Sequence, residues 1–191
     1  MSANFWNNPQ LEPKRQFRFL VTLSLGNQDV QFLAKSVSRP SYTVTSNPHK
    51  FFNHTFHYPG RVEWNTVSLT LVDALSPNAS KIFMDYLGNI GYADPEGAAT
   101  TALSSHNIIN HAITKNTATS QLGIVKIMEI GTNQNPSGGD TTAEVKAEWV
   151  LKNAFITEVN FGSHAYDSEE MIDIQLTIQY DWAKYNILQA T

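Results

Sequence analysis

Six histidines and one acidic run are the groups in this sequence best suited to chemistry: His49, His54, His57, His106, His111 and His164, and Asp167-Ser168-Glu169-Glu170. His54 and His57 lie three apart in a segment that reads as extended, so their rings point to opposite faces and make poor co-ligands for one metal. A zinc site needs three or four ligands, and no spacing here supplies them; a structural or interfacial role is favoured. The acidic run offers carboxylates to calcium but lacks the carbonyl-rich spacing of a calcium loop, and reads as a solvated turn before the last strand. With no cysteine there is neither a thiolate nucleophile nor a disulfide framework. A glycine-rich phosphate loop, a zinc-protease helix and a serine elbow are all missing. Asp and Glu pairs can serve glycoside hydrolysis, but no motif places a pair here, which makes a hydrolase the weakest reading. No enzyme activity, metal or cofactor is expected.

The elements that hold these residues have an unusual polarity. Charged residues make up 16% of 191, below the roughly 25% usual for soluble domains, and Asn, Thr and Ser take their place. A net charge of -4 and a pI near 5.8 argue against binding nucleic acid by phosphate neutralisation, which needs a basic stripe. The one basic cluster, Lys14, Arg15 and Arg18, sits beside an expected arm at residues 1–14 and reads as a solvated or interface patch. The opening Met1-Ser2-Ala3-Asn4-Phe5-Trp6 lacks a charged n-region and an apolar h-region, and nowhere do about 18 apolar residues run together. A soluble chain without a membrane anchor or signal peptide is expected, and the sequon Asn53-His54-Thr55 then means nothing by itself.

Periodicity predicts mostly strands. Residues 171–182 alternate at every step, with Ile172, Ile174, Leu176, Ile178, Tyr180 and Trp182 on one face and Asp173, Gln175, Thr177, Gln179 and Asp181 on the other. The polar face carries no Lys or Arg, although exposed strands usually carry lysine against edge pairing; it resembles a lining. Residues 17–25 alternate likewise and predict a hairpin with residues 30–37. Residues 42–60, bracketed by Pro40 and punctuated by Pro48 and Pro59, predict an extended segment that projects from the body. Strand character resumes at 64–72. One helix is well signalled: Ser76 as cap, Pro77 at the first position, Gly88 as stop, and Ala79, Ile82, Phe83, Tyr86 and Leu87 as its apolar stripe. Its other side shows Asn78, Lys81 and Asp85. Residues 89–121 decay into small polar types and predict an insertion or long loop with a short helix. Residues 123–130 and 142–151 predict paired strands, and 154–161 another. A single domain, 1–191, is expected: a mainly β antiparallel sandwich or barrel with one outer α-helix.

Two stretches resemble a known family. Trp64-Asn65-Thr66-Val67-Ser68-Leu69-Thr70-Leu71-Val72-Asp73 followed by a capped amphipathic helix resembles the middle of the tail tube proteins of contractile-tailed (myovirus) bacteriophages. Asn153-Ala154-Phe155-Ile156-Thr157-Glu158-Val159, then Tyr166-Asp167-Ser168-Glu169-Glu170-Met171-Ile172, then Thr177-Ile178-Gln179-Tyr180-Asp181-Trp182 is similar to their C-terminal half. The likeness covers most of the chain outside residues 88–121, which are longer than in compact members.

The resemblance implies a structural virion protein. Homohexameric rings stack into an inner tail tube, partnered by tail sheath protein, a baseplate tube initiator and a tail terminator, with viral DNA passing to the host without specific binding. The tube belongs to a virion tail assembled in the host cytoplasm. Six copies lending about four strands each would close a continuous inner barrel roughly 48 Å across its backbone, with an opening on the order of 40 Å. On that reading Asp173, Gln175, Thr177, Gln179 and Asp181 line the lumen, Phe51, Phe52, Phe56 and Tyr58 contact the next ring or else fill the subunit's own core, and Asn78, Lys81 and Asp85 face the sheath. Two alternatives stand beside it. One is a baseplate tube initiator or the tube of a phage-derived injection device. The other is a β-sandwich module binding glycans through Trp64, Trp149 and Trp182, although those positions suit core packing.

Overall fold

The computed structural model describes residues 14–25, 28–29, 34–92, 112–132, 143–167 and 169–188. Within them the chain runs β1 (Phe19–Thr22), β2 (Ser24–Leu25), β3 (Gln28–Asp29), β4 (Ala34–Val37), β5 (Tyr42–Phe51), β6 (His54–Trp64) and β7 (Val67–Val72). Helices α1 (Ala79–Asn89) and α2 (Lys115–Leu122) follow, then β8 (Val125–Thr132), β9 (Ala143–Lys152), β10 (Phe155–Asn160), β11 (Asp173–Gln179) and β12 (Trp182–Ile187).

The strands form two antiparallel four-stranded sheets, ordered β1-β8-β9-β12 and β10-β11-β7-β4, with β2–β3 and β5–β6 as separate two-stranded ribbons. Alternation is what makes this a sandwich. Val67, Leu69 and Leu71 of β7 and Ile174, Leu176 and Ile178 of β11 are buried from one sheet, and Val21, Ile127 and Leu151 from the other. These side chains join one core cluster with Ile82 and Phe83 of α1 and Leu122 of α2. Each fully buried aliphatic contributes about 1.5–3 kcal/mol. The mainly β antiparallel expectation is met.

Several local expectations are revised. Residues 17–25 do not form a hairpin with 30–37: β1 pairs with β8, and β4 pairs with β7 in the other sheet. Residues 30–33 lie outside the described ones. Helix α1 starts later than Ser76, because the Asn78 side chain is the acceptor, taking the Lys81 amide at 2.8 Å. Gly88 does not stop it. The helix runs through Asn89, and the turn falls at Gly91, whose φ of +114° few side chains tolerate.

A second helix joins the first. Thr114 and Thr117 of α2 form a reciprocal capping box, and Ala118 and Leu122 are buried. The C-terminal part of the expected insertion therefore belongs to the core, while residues 93–111 lie outside the described ones. The last stretch is not one strand either. Beyond β11 the chain crosses at Tyr180 and Asp181, and β12 joins the opposite sheet by pairing with β9. Trp182 is consequently half exposed rather than continuing the buried face.

Candidate assembly surfaces

The outward face of the second sheet is polar and close to neutral. Register places Asn160, Gln175 and Thr70 side by side across β10, β11 and β7, and Glu158, Thr177 and Ser68 in the next row. The Thr177 hydroxyl donates to the Glu158 carboxylate at 3.4 Å. Lys35, which reaches this face from β4, is held by Asp173 at 2.6 Å. Asp173, Gln175, Thr177 and Gln179 thus share one strand and one face. Asp181 lies past the end of β11, where both of its oxygens accept from Lys115 at 2.7 Å and Oδ2 also accepts from Asn153. The Lys115 hydrogen bond, then that of Asn153, holds its carboxyl below the usual range.

The β5–β6 ribbon is a second surface. All of its residues are exposed except Trp64 at its root. Phe51, Phe56 and Tyr58 are each at least half exposed and Phe52 is 90% exposed, so none of these four fills the subunit's own core. Cross-strand pairs Phe51↔His54, His49↔Phe56 and Asn47↔Tyr58 put Phe51, Phe56 and Tyr58 on one face of the ribbon. Phe52, at the tip, packs edge-on against Phe51 at 4.6 Å between ring centres. Its φ of +50° is a position that two-residue hairpins ordinarily give to Gly or Asn. A chain of rings, Tyr42 to Trp64 at 5.5 Å and Trp64 to Tyr180 at 5.9 Å, ties the root to the core. Gly60 is required by the bulge above that root, since a Cβ there would meet Thr45 Oγ1 at 2.4 Å. His54 and His57 fall on opposite faces, and His57 Nδ1 lies 3.2 Å from Ser46 Oγ.

The third surface is the outer side of α1, where Lys81 and Asp85 are exposed one turn apart and the Asn78 carboxamide is engaged in capping. No group of three metal-ligating side chains occurs among the described residues. No helix among them is long and apolar enough to cross a membrane.

No protein-family model matches the chain, and no curated protein matches it in sequence. Solved structures share its fold. A chain in the six-fold symmetrised structure of the anti-feeding prophage baseplate aligns with a TM-score of 0.60 at 14% identity, covering 94% of this chain and 99% of that one. A chain in the anti-feeding prophage tube-terminating cap aligns at 0.59 and 19%, covering 97% and 99%. One in the sheath-tube complex of an extracellular contractile injection system aligns at 0.56 and 17%, covering 92% and 93%. At such identities the likeness establishes the fold.

Proposed function

We propose that this chain is the tube subunit of a contractile tail or injection machine, forming six-membered rings that stack into a conduit for genome or effector. The observation that carries the reading is the β5–β6 ribbon. Strands of 10 and 11 residues in an isolated two-stranded sheet are marginal alone in water, and four exposed aromatics on such a ribbon call for a partner. A head-to-tail neighbour in the next ring supplies one. The second sheet, with four strands, offers the number needed for the inner barrel. Its neutral row of Gln175, Thr177 and Gln179, with Asp173 beside it, suits a lumen through which a polyanion slides. The sandwich shared with chains of tube, cap and baseplate assemblies supports the same reading.

In the assembled tube α1 presents Lys81 and Asp85 outward to sheath subunits. A cap or baseplate-adaptor role is the second reading, favoured by the alignments to cap and baseplate chains. An adaptor would stack through one end of its ring and a tube subunit through both.

Negative-stain electron microscopy of the purified chain at rising concentration tests this. Hollow rings or tubes are expected. Phe52→Asp should leave rings intact and abolish their stacking, because the tip is far from the subunit core. Tubes of normal length from that variant would remove the ribbon from the inter-ring contact.

A further inference from the structure

A groove opens where the two sheets part, between edge strands β1 and β4. Lys14, Arg15, Arg18, Lys35 and Arg39 line it together with one carboxylate, Glu129. Lys14 and Arg39 both ion-pair with Glu129, and Tyr185 donates to the same carboxylate at 3.2 Å. Lys35 is held by Asp173. Among the described residues two carboxylates, Glu129 and Asp173, pair with Lys14, Arg39 and Lys35, and Arg15 has no ion-pair partner. Phe17 at its lip is 70% exposed.

A segment of opposite character stands elsewhere on the same chain. Residues 161–172 join β10 to β11 and carry Asp167, Glu169 and Glu170 with no Lys or Arg. Tyr166 is fully exposed, and Phe161 and Met171 are exposed as well. Asp167 and Glu169 make no ion pair among the described residues. The loop leaves the second sheet at the end where Asp173 pairs with Val72, and β4 begins at that same end with Ala34 opposite Leu71. Strands β10 and β4 are the opposite edges of that sheet.

We infer that the acidic, aromatic β10–β11 loop of one copy docks into the basic β1/β4 groove of the next copy around the ring. This rests on the tube reading above. Copies related by rotation about a ring axis keep the same height, so each loop meets its neighbour's groove at the level both occupy. The contact is heterologous, joining two different patches, which builds a ring where the rotation closes and not a two-fold dimer. Opposite charges set the register, while Tyr166 and Phe17 supply apolar area. The chain's own residues 1–13 are a poorer occupant by charge, since Glu12 is their single carboxylate.

Ring assembly of charge-reversed variants tests this, read by light scattering behind size exclusion and by negative stain. Arg15→Glu, and separately Asp167→Lys with Glu169→Lys, should each raise the concentration for half-assembly about tenfold or more. All three changes in one chain should recover most of the loss. Assembly of the wild type should weaken with added salt. Reversals that leave rings unaltered, or a combination no better than its parts, would overturn the docking while leaving the tube reading intact. Wild-type protein that stays monomeric at every concentration would remove the tube reading and the docking with it. Reversals that lower the monomer's melting temperature but not its assembly would assign the groove to residues 1–13, and the proposal would fail.

Discussion

Asp181 shows how much one side chain at a crossing point can do. Its carboxylate ties α2, through Lys115, to Asn153 at the β9–β10 turn, at the place where the chain leaves one sheet for the other. Those hydrogen bonds, Lys115 first, depress its folded-state pKa below the unfolded value of about 3.9. The stability it contributes is therefore present above about pH 4 and is lost as pH falls through the depressed value. Glu148, lowered chiefly by the Asn186 hydrogen bond, works in the same direction. Tyr86 and Tyr180, raised by burial, act at the other limit, their contribution full below about pH 10 and lost above it. Asp181→Asn should cost about 0.5–1 kcal/mol at pH 7, since Lys115 and Asp181 are both partly exposed. Thermal melts at pH 7 and pH 3 check this: the gap between variant and wild type should shrink at pH 3. An equal gap at both would mean that the carboxylate charge is not what matters.

At the scale of elements, α2 separates what local sequence reveals from what only tertiary packing decides. Leu122 is fully buried against both sheets' core, and Tyr86 of α1 donates to the Ala118 carbonyl at 3.3 Å. Leu122→Ala should lower unfolding free energy by about 2–4 kcal/mol in a denaturant titration, with little change in slope. A loss under about 0.5 kcal/mol would mean that this helix is decoration. The sequence allows a short helix within residues 89–121 but does not place it, because the apolar face of α2 is only Ala118 and Leu122 and its capping box uses Thr117 where Glu or Gln usually signals. Strand β11 was readable for the opposite reason, since one buried face imposes strict alternation over Asp173–Gln179. The exit at Tyr180 was not, because β12 keeps polar and apolar residues without a clean period and its direction is set by β9 across the sheet. The ribbon's extent could be read from its prolines, but whether its aromatics turned inward could not, as strand period does not say what covers a face. Of the β1/β4 groove the sequence showed only the basic cluster Lys14, Arg15 and Arg18, because the groove gathers three segments far apart in sequence and long-range pairing leaves no local trace.

For the whole molecule, the two sandwich faces differ in charge, and under the proposed ring that difference decides which face the lumen would use. The first sheet's outer face carries Lys152 and Lys184, with Lys126 ion-paired to Glu148 at 3.2 Å and Trp182 half exposed, by the pairings Trp182↔Lys152, Lys184↔Val150 and Lys126↔Val150. The second sheet's outer face has Gln175, Thr177, Gln179, Thr70 and Ser68 with the carboxylate of Glu158, and its Lys35 is neutralised by Asp173. A duplex carries one negative charge per about 1.7 Å, and each lysine that neutralises a phosphate adds a counterion-release term to binding. A lumen built from the first sheet would grip DNA; one built from the second would let it slide. Gln175→Lys, Thr177→Lys and Gln179→Lys together test the choice, because these side chains point away from the core and tubes should still assemble. Tubes of the triple variant should retain duplex DNA at low salt and release it as salt rises, while wild-type tubes retain none. If the variant passes DNA as freely as the wild type, the lumen belongs to the lysine-bearing sheet or the conduit carries something other than nucleic acid. Wild-type tubes that themselves hold DNA in a salt-dependent way would decide for the first of these.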